Sequence, residues 1–405
     1  MIENFIKSYF VEGALVVRLP GDRDVAIGGV TLESAPVIAR IKDVKTGLRI
    51  AQNPHLALGE AYMDGGVVME RGSIYDLLEI ITRNFKHHRK RDLFTETHRL
   101  LTQFGNLHTR IASRKNVAHH YDLSVALYGA FLDDDLQYSC AYFSHEGAGL
   151  EEAQLDKKRR IASKLLINPG DRILDIGCGW GGMGLTLAED YGARVTGVTL
   201  SVEQLNLARD RAVARGLSDA AHFEMRDYRD VEGPFDRIVS VGMFEHVGLD
   251  KYQTYFDTVA RLLTDDGVAL IHTIGRTSPP GATSAWTAKY IFPGGYIPAL
   301  SEIIPPVERA GLIVTDIEVL RVHYADTLRA WRERFMAQRS RMAALYDERF
   351  CRMWEFYLAG SEASFRYGTS VVYQLQLAKR VDAVPITRDY MRHALDEPKH
   401  HQSAP

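Results

Sequence analysis

Hydrophobic residues recur with two different periods along this chain. The first hundred or so residues carry short apolar runs such as Ala14-Leu15-Val16-Val17-Arg18-Leu19, separated by turn signals at Pro20-Gly21-Asp22 and Asp64-Gly65-Gly66. Apolar positions at Ile74, Leu77, Leu78, Ile80 and Ile81 predict a helix that begins at Ser73. From about residue 160, strand-like and helix-like runs alternate, which is the signature of a parallel α/β sheet. Strands are predicted over residues 172–176, 194–200, 222–225, 236–241 and 268–274, the last after the turn Asp265-Asp266-Gly267. Residues 311–320 and 369–377 read as two late strands. Ser201 and Gln204 form a Ser-x-x-Gln capping box that opens a helix. The division expected is a smaller N-terminal α+β domain over residues 1–105 and a larger α/β domain over residues 106–405.

The first of these strands ends in the most informative stretch, Ile173-Leu174-Asp175-Ile176-Gly177-Cys178-Gly179-Trp180-Gly181-Gly182. An apolar run ends in an acid, a glycine-rich loop follows, and a helical pattern begins. Glycine lets a ligand approach bare backbone, and the helix start offers a positive dipole end. The spacing departs from the dinucleotide fingerprint and from the phosphate loop. It resembles motif I of the S-adenosylmethionine-dependent methyltransferases, which makes Asp175, Gly177 and Gly179 candidates for holding that cofactor.

Composition narrows the class. The chain has 405 residues, enough for one large core or two smaller ones. With 46% hydrophobic and 25% charged residues it reads as soluble and globular. A net charge of -3 gives nucleic-acid binding no support. No apolar run is long enough to span a bilayer, and the N-terminal residues show no secretory pattern. The three cysteines, Cys140, Cys178 and Cys351, are widely spread, so a reducing cytoplasm without disulfides is expected. No metal-ligand spacing is present. Arg83, Lys86, Arg89, Lys90 and Arg91 form a basic run without an acid. It reads either as a solvated helix end or as a surface that meets anionic lipid.

Further stretches carry a more specific resemblance. They are Asn116-Val117-Ala118-His119-His120-Tyr121-Asp122-Leu123-Ser124, Tyr138-Ser139-Cys140-Ala141-Tyr142-Phe143, Gly197-Val198-Thr199-Leu200-Ser201 with Gln204, and Asp227-Tyr228-Arg229. Gly242-Met243-Phe244-Glu245-His246, His272-Thr273-Ile274-Gly275, Tyr290-Ile291-Phe292-Pro293-Gly294-Gly295 and His323-Tyr324 follow in order. Across residues 116–330 the chain resembles the cyclopropane-fatty-acyl-phospholipid synthases, relatives of the mycolic acid cyclopropane synthases. One departure is Val125-Ala126, where many members carry Asn-Asp.

The resemblance implies a class I methyltransferase-type, Rossmann-like, seven-stranded mostly parallel sheet with helices on both faces and an antiparallel edge. It implies S-adenosylmethionine as co-substrate and an N-terminal domain for lipid docking and self-association as a homodimer. An acid that usually grips the ribose after the second strand is missing. Thr199, Leu200 and Gln204 occupy that region, and Tyr138 and Ser139 match a cofactor-touching pair. Asp227 and Tyr228 fall where an adenine contact is expected.

The implied reaction transfers methylene to the cis double bond of an unsaturated phospholipid acyl chain, at the inner face of the cytoplasmic membrane. An alkene is a weak nucleophile, so the sulfonium methyl must be held in line and dry. Ring closure then needs a base, and the family uses a bound bicarbonate ion. The matching residues are Cys140, Glu245, His272, Tyr324 and the backbone of Ile274. Taken singly, Cys140 reads as a small buried hydrophobe, His272 as a structural histidine and Glu245 as a helix cap or surface acid. Together, in matching contexts, they read as the base site. Tyr142, Phe143, Tyr290, Ile291, Phe292, Tyr357 and Phe365 are candidates for an acyl slot, and each is equally a core residue. Loss of the proton elsewhere, or later reduction, would instead give a methyl- or methylene-branched chain.

Overall fold

The computed structural model describes residues 2–88 and 124–391. The stretch 116–123 and the basic residues Arg89, Lys90 and Arg91 therefore lie outside the described residues, as does the side chain of Lys86. The chain divides into two compact units that do not follow chain order.

The larger unit holds a seven-stranded sheet. Its strands are β5 (Arg172–Ile176), β6 (Arg194–Thr199), β7 (Ala221–Met225), β8 (Phe235–Val241), β9 (Leu263–Arg276), β10 (Ile313–Val319) and β11 (Ser370–Ala378). The order is β10-β11-β9-β8-β5-β6-β7. β5 to β9 pair in parallel, and β10 and β11 pair antiparallel at one edge. Side chains alternate across the strands, so Leu174 and Ile176 enter one apolar core and Ile173 enters the core on the other face. Apolar burial on both faces is what a parallel sheet covered by helices requires. Between β8 and β9 the register passes from Phe235↔Leu263 directly to Arg237↔Val268. The expected turn at Asp265-Asp266-Gly267 is thus a bulge within a longer strand, because Leu263 already pairs ahead of it.

In the smaller unit β1 (Leu15–Leu19), β2 (Arg23–Ile27), β3 (Val37–Ile41) and β4 (Val67–Arg71) form a sheet in the order β2-β1-β3-β4. The predicted helix spans Ile74–His88. Ser73 starts it: Asp76 Oδ2 accepts from the Ser73 backbone N–H at 2.6 Å, and Ser73 Oγ accepts from the Asp76 N–H at 3.3 Å.

The division expected between residues 1–105 and 106–405 needs correction. Gly281–Pro293 and Ala325–Ser370 belong to the same unit as the N-terminal residues. The physical reason lies in the helix Glu348–Tyr367, whose Ala359 and Ala363 join Leu15, Val17, Tyr62 and Leu77 in one buried core. The Tyr62 hydroxyl also donates to Glu355 Oε2 at 2.9 Å. Among the described residues no helix is long and apolar enough to cross a membrane.

Candidate active site

β5 stands at the middle of the five parallel strands, with β6 on one side and β8 on the other, so strand order reverses at its carboxyl end. Ligands of open α/β sheets bind at such a switch point. The loop after β5 is shaped for close approach: Gly177 has φ +81° and Gly179 φ +54°, a region that glycine enters without penalty. A Cβ on Gly179 would meet nothing within 4 Å, whereas one on Gly177 would lie 2.7 Å from Met243 Cβ. Side-chain-free space at this loop is therefore open at Gly179 and closed by protein at Gly177.

One cavity gathers all the candidate cofactor residues. Asp175, Gly177 and Gly179 line it from the loop, and Thr199, Leu200 and Gln204 from the end of β6 and the helix Val202–Ala214. Asp227 and Tyr228 line it after β7, and Tyr138 and Ser139 from the segment ahead of the helix Leu150–Leu165. Burial pushes the Asp175 carboxyl up to about 7, against the pull of the Gly184 N–H in the first turn of the helix Gly182–Tyr191. Asp227 is clamped by Arg229, whose Nε donates to Oδ1 at 2.8 Å.

The capping box at Ser201 forms only by half. Ser201 Oγ accepts from the Gln204 N–H at 3.3 Å, but Gln204 Oε1 accepts from the Thr199 hydroxyl at 3.0 Å instead of returning to the cap. The Ser201 N–H turns to Thr199 Oγ1 at 3.2 Å. With its oxygen engaged, Gln204 presents its NH2, a donor, to a ligand.

Two residues of this region were not singled out from the sequence. Gln137 also lines the cavity. Lys157 is fully buried and donates to Gln137 Oε1 at 2.5 Å and to Ser139 Oγ at 2.9 Å. Burial lowers its ammonium to about 8, with Asp133 opposing that shift. The signal was present in the helix Leu150–Leu165: Lys157 and Lys164 fall on the same stripe as Leu150, Ala153, Ile161 and Leu165.

Four of the five base-site candidates, Cys140, Glu245, His272 and Tyr324, are buried and Ile274 is half-buried; none of the five lines the cavity, although His246, next to Glu245, does. Glu245 Oε1 accepts from the Ile274 N–H at 2.6 Å, while Glu245 Oε2 is buried without a hydrogen-bond partner. Burial pushes the Glu245 carboxyl up to about 7, and the Ile274 N–H pulls it back. The Ile274 backbone N–H thus holds Glu245 in this arrangement. His272 stands two residues earlier on β9 and so on the same face. Burial and the charges of Lys157 and Lys164 keep its ring far below the usual pKa, and thus neutral. The Cys140 thiol donates to the Ala141 carbonyl at 3.3 Å. Tyr324 is buried in the first turn of the helix His323–Ala337.

The acyl-slot candidates divide between the units. Tyr142 stacks on His323 with centroids 4.7 Å apart in one, and Phe292 meets Tyr357 edge-on at 5.8 Å in the other.

Comparison with known proteins places this geometry in a family. The family model of mycolic acid cyclopropane synthetase matches residues 108–375. The cyclopropane-fatty-acyl-phospholipid synthase of Escherichia coli (strain K12) is 37% identical over 361 residues, covering 88% of this chain and 91% of that protein. Tuberculostearic acid methyltransferase UfaA1 of Mycobacterium tuberculosis is 43% identical over 285 residues, covering 67% of this chain and 66% of that protein. Among solved structures, mycolic acid cyclopropane synthase CmaA1 complexed with SAH and CTAB superposes with a TM-score of 0.62 at 34% identity, covering 65% of this chain and 97% of that one. The residues around the cavity fit S-adenosylmethionine: bare backbone at Gly179, buried acceptors at Asp175 and Asp227, and an NH2 donor at Gln204. The chain is a class I-type S-adenosylmethionine-dependent methyltransferase and belongs to the mycolic acid cyclopropane synthetase family.

Proposed function

We propose that the protein adds a methylene group across the cis double bond of an unsaturated acyl chain in a bilayer phospholipid, leaving a cyclopropane ring. S-adenosylmethionine supplies an electrophilic sulfonium methyl, and S-adenosylhomocysteine is the by-product. The ten candidate cofactor residues that line the cavity hold that co-substrate and exclude water around it. Bicarbonate supplies the base for the proton that leaves the added methyl. Glu245 would orient it by accepting its hydroxyl hydrogen, and Cys140, His272 and Tyr324 would supply donors to its oxygens.

The observation that carries this reading is Glu245. Its carboxylate is buried, anchored on one oxygen by the Ile274 N–H, and left with an acceptor that has no partner on the other. An unpaired buried carboxylate oxygen is costly, and a bound donor removes that cost.

A second reading ends in a methyl- or methylene-branched chain. It is favoured by the relatives whose names are tuberculostearic acid methyltransferase and, at 42% identity in Pseudomonas putida, probable fatty acid methyltransferase. Mass spectrometry of phospholipids after incubation with the protein and methyl-labelled S-adenosylmethionine separates the two. The ring predicts a gain of CH2 with no hydrogenatable double bond. A product that takes up hydrogen, or a gain of CH4, overturns it.

We also read the protein as cytoplasmic, peripheral at the inner face of the membrane and homodimeric. These readings rest on the family resemblance and on the basic run at residues 83–91. Light scattering on the purified protein tests the dimer: a monomer mass removes it.

A further inference from the structure

Four side chains from four elements form a chain that ends on His272. Lys164 Nζ donates to Glu318 Oε2 at 2.5 Å and to Gln374 Oε1 at 2.7 Å. Gln374 Nε2 lies 3.1 Å from His272 Nδ1. Lys164 and Gln374 are fully buried, and His272 is 2% exposed. Lys164 comes from the helix Leu150–Leu165, Glu318 from β10, Gln374 from β11 and His272 from β9, the neighbour of β11.

The chemistry of these groups leaves one arrangement of protons. Burial lowers the hold of Lys164 on its proton and Glu318 opposes that. Burial alone would raise Glu318, but Lys164 and Arg160 overcome it and keep the carboxyl below its usual range. Lys164 is then an ammonium, which only donates, so the Gln374 atom facing it is the carbonyl oxygen. The amide NH2 must therefore face His272. An NH2 only donates, so Nδ1 must offer its lone pair, and a neutral imidazole then carries its one proton on Nε2.

We propose that Gln374 is a positioning residue for the reaction: anchored by Lys164, it fixes His272 as the neutral Nε2–H tautomer and so makes the ring a hydrogen-bond donor to the anion that serves as base. The identity of that anion rests on the bicarbonate reading above; the tautomer does not. The neutral ring matters because an imidazolium would donate a proton to the base it should only orient. The opposite tautomer would aim a lone pair at the anion.

Long-range proton–nitrogen NMR of the full chain, labelled with nitrogen-15 histidine, reads the tautomer directly, with His272→Gln identifying the signal. The wild-type ring should show the neutral Nε2–H pattern. Gln374→Glu places an acceptor at Nδ1 and should move the proton there or charge the ring. Turnover should fall by about tenfold or more, the worth of one hydrogen bond to a charged group, with affinity for S-adenosylhomocysteine unchanged. A wild-type Nδ1–H or imidazolium pattern overturns the proposal, and that spectrum decides it even if the variant does not fold. A variant that changes the pattern without loss of turnover also overturns it. Turnover indifferent to bicarbonate removal, with the tautomer as stated and the Gln374→Glu loss intact, instead sinks bicarbonate as the anion and leaves the positioning role standing.

Discussion

Lys157 donates its buried ammonium to the Ser139 hydroxyl at 2.9 Å. One residue of the pair borders the cavity and the other does not, so a charge outside the binding surface sets the direction of a hydroxyl on it. The same ammonium holds Gln137, and its field reaches Cys140 and His272. A single lysine thereby links the cofactor side and the base side of the site.

Lys157→Met should weaken binding of S-adenosylhomocysteine by about tenfold, because Ser139 and Gln137 lose a charged donor; calorimetric titration measures it. The stability effect has a defined sign. In the fold the lysine releases its proton at about 8, below the usual lysine value of 10.5. Between those values the unfolded chain binds more protons, so wild-type stability rises with pH relative to the Met variant, by a total on the order of 3 kcal/mol. Urea unfolding of both proteins at pH 7.5 and pH 10 checks it, and a constant difference would refute it.

Gly179→Ala should abolish S-adenosylhomocysteine binding while costing about 1–2 kcal/mol of stability, the penalty of a left-handed alanine. Its Cβ would stand in open space at the loop. Gly177→Ala should damage the fold more, because its Cβ meets Met243 at 2.7 Å. Thermal melts with and without ligand distinguish the two, and reversed ranking would show the loop has been misread.

Glu245→Gln should lower turnover ~100- to 10,000-fold, the usual loss for a positioned base, with cofactor affinity held. The glutamine presents either an NH2 or an uncharged oxygen where a charged acceptor is needed. In the free enzyme the carboxyl ionises at about 7, so wild-type activity should rise with pH through that value. Rate profiles at saturating bicarbonate test this. An acidic limb that survives in the variant would assign it to another group.

Vesicle binding should depend on Lys86, Arg89, Lys90 and Arg91 and not on Arg83. Arg83 pairs with Glu79 at 2.5 Å and lies over the Tyr367 ring at 4.4 Å, so it is already engaged. Replacing the four others with Gln should weaken binding to anionic vesicles by about 1 kcal/mol per residue near the surface. Sedimentation at low and high salt decides, with Arg83→Gln as the control that should change little.

Much of the larger unit was legible because parallel strands buried on both faces write continuous apolar runs: Arg172–Ile176 was read to the residue. The loop at Gly177 and Gly179 was legible for a different reason, since positive φ leaves glycine as a trace in the sequence. What was not legible depended on partners far away in the chain. The helix Glu348–Tyr367 was not predicted, and no local pattern shows that Ala359 and Ala363 share a core with Leu77. Lys157 falls on the apolar stripe of its helix, but that stripe does not name Gln137 and Ser139 as its partners. The Thr199–Gln204 bond displaced half of the capping box for the same reason: local pattern names a competing acceptor but not which one wins.

The helix Glu348–Tyr367 also bears on the order in which this protein can be completed during synthesis. Residues 15–88 emerge early, yet their core includes Ala359 and Ala363. The Tyr62 hydroxyl likewise waits for Glu355, 293 positions later. The core around the first strands is thus completed only after the sheet that follows them is translated. A chain halted anywhere before residue 359 would present that apolar surface uncovered, making the N-terminal region a substrate for chaperones long after its own sequence is finished.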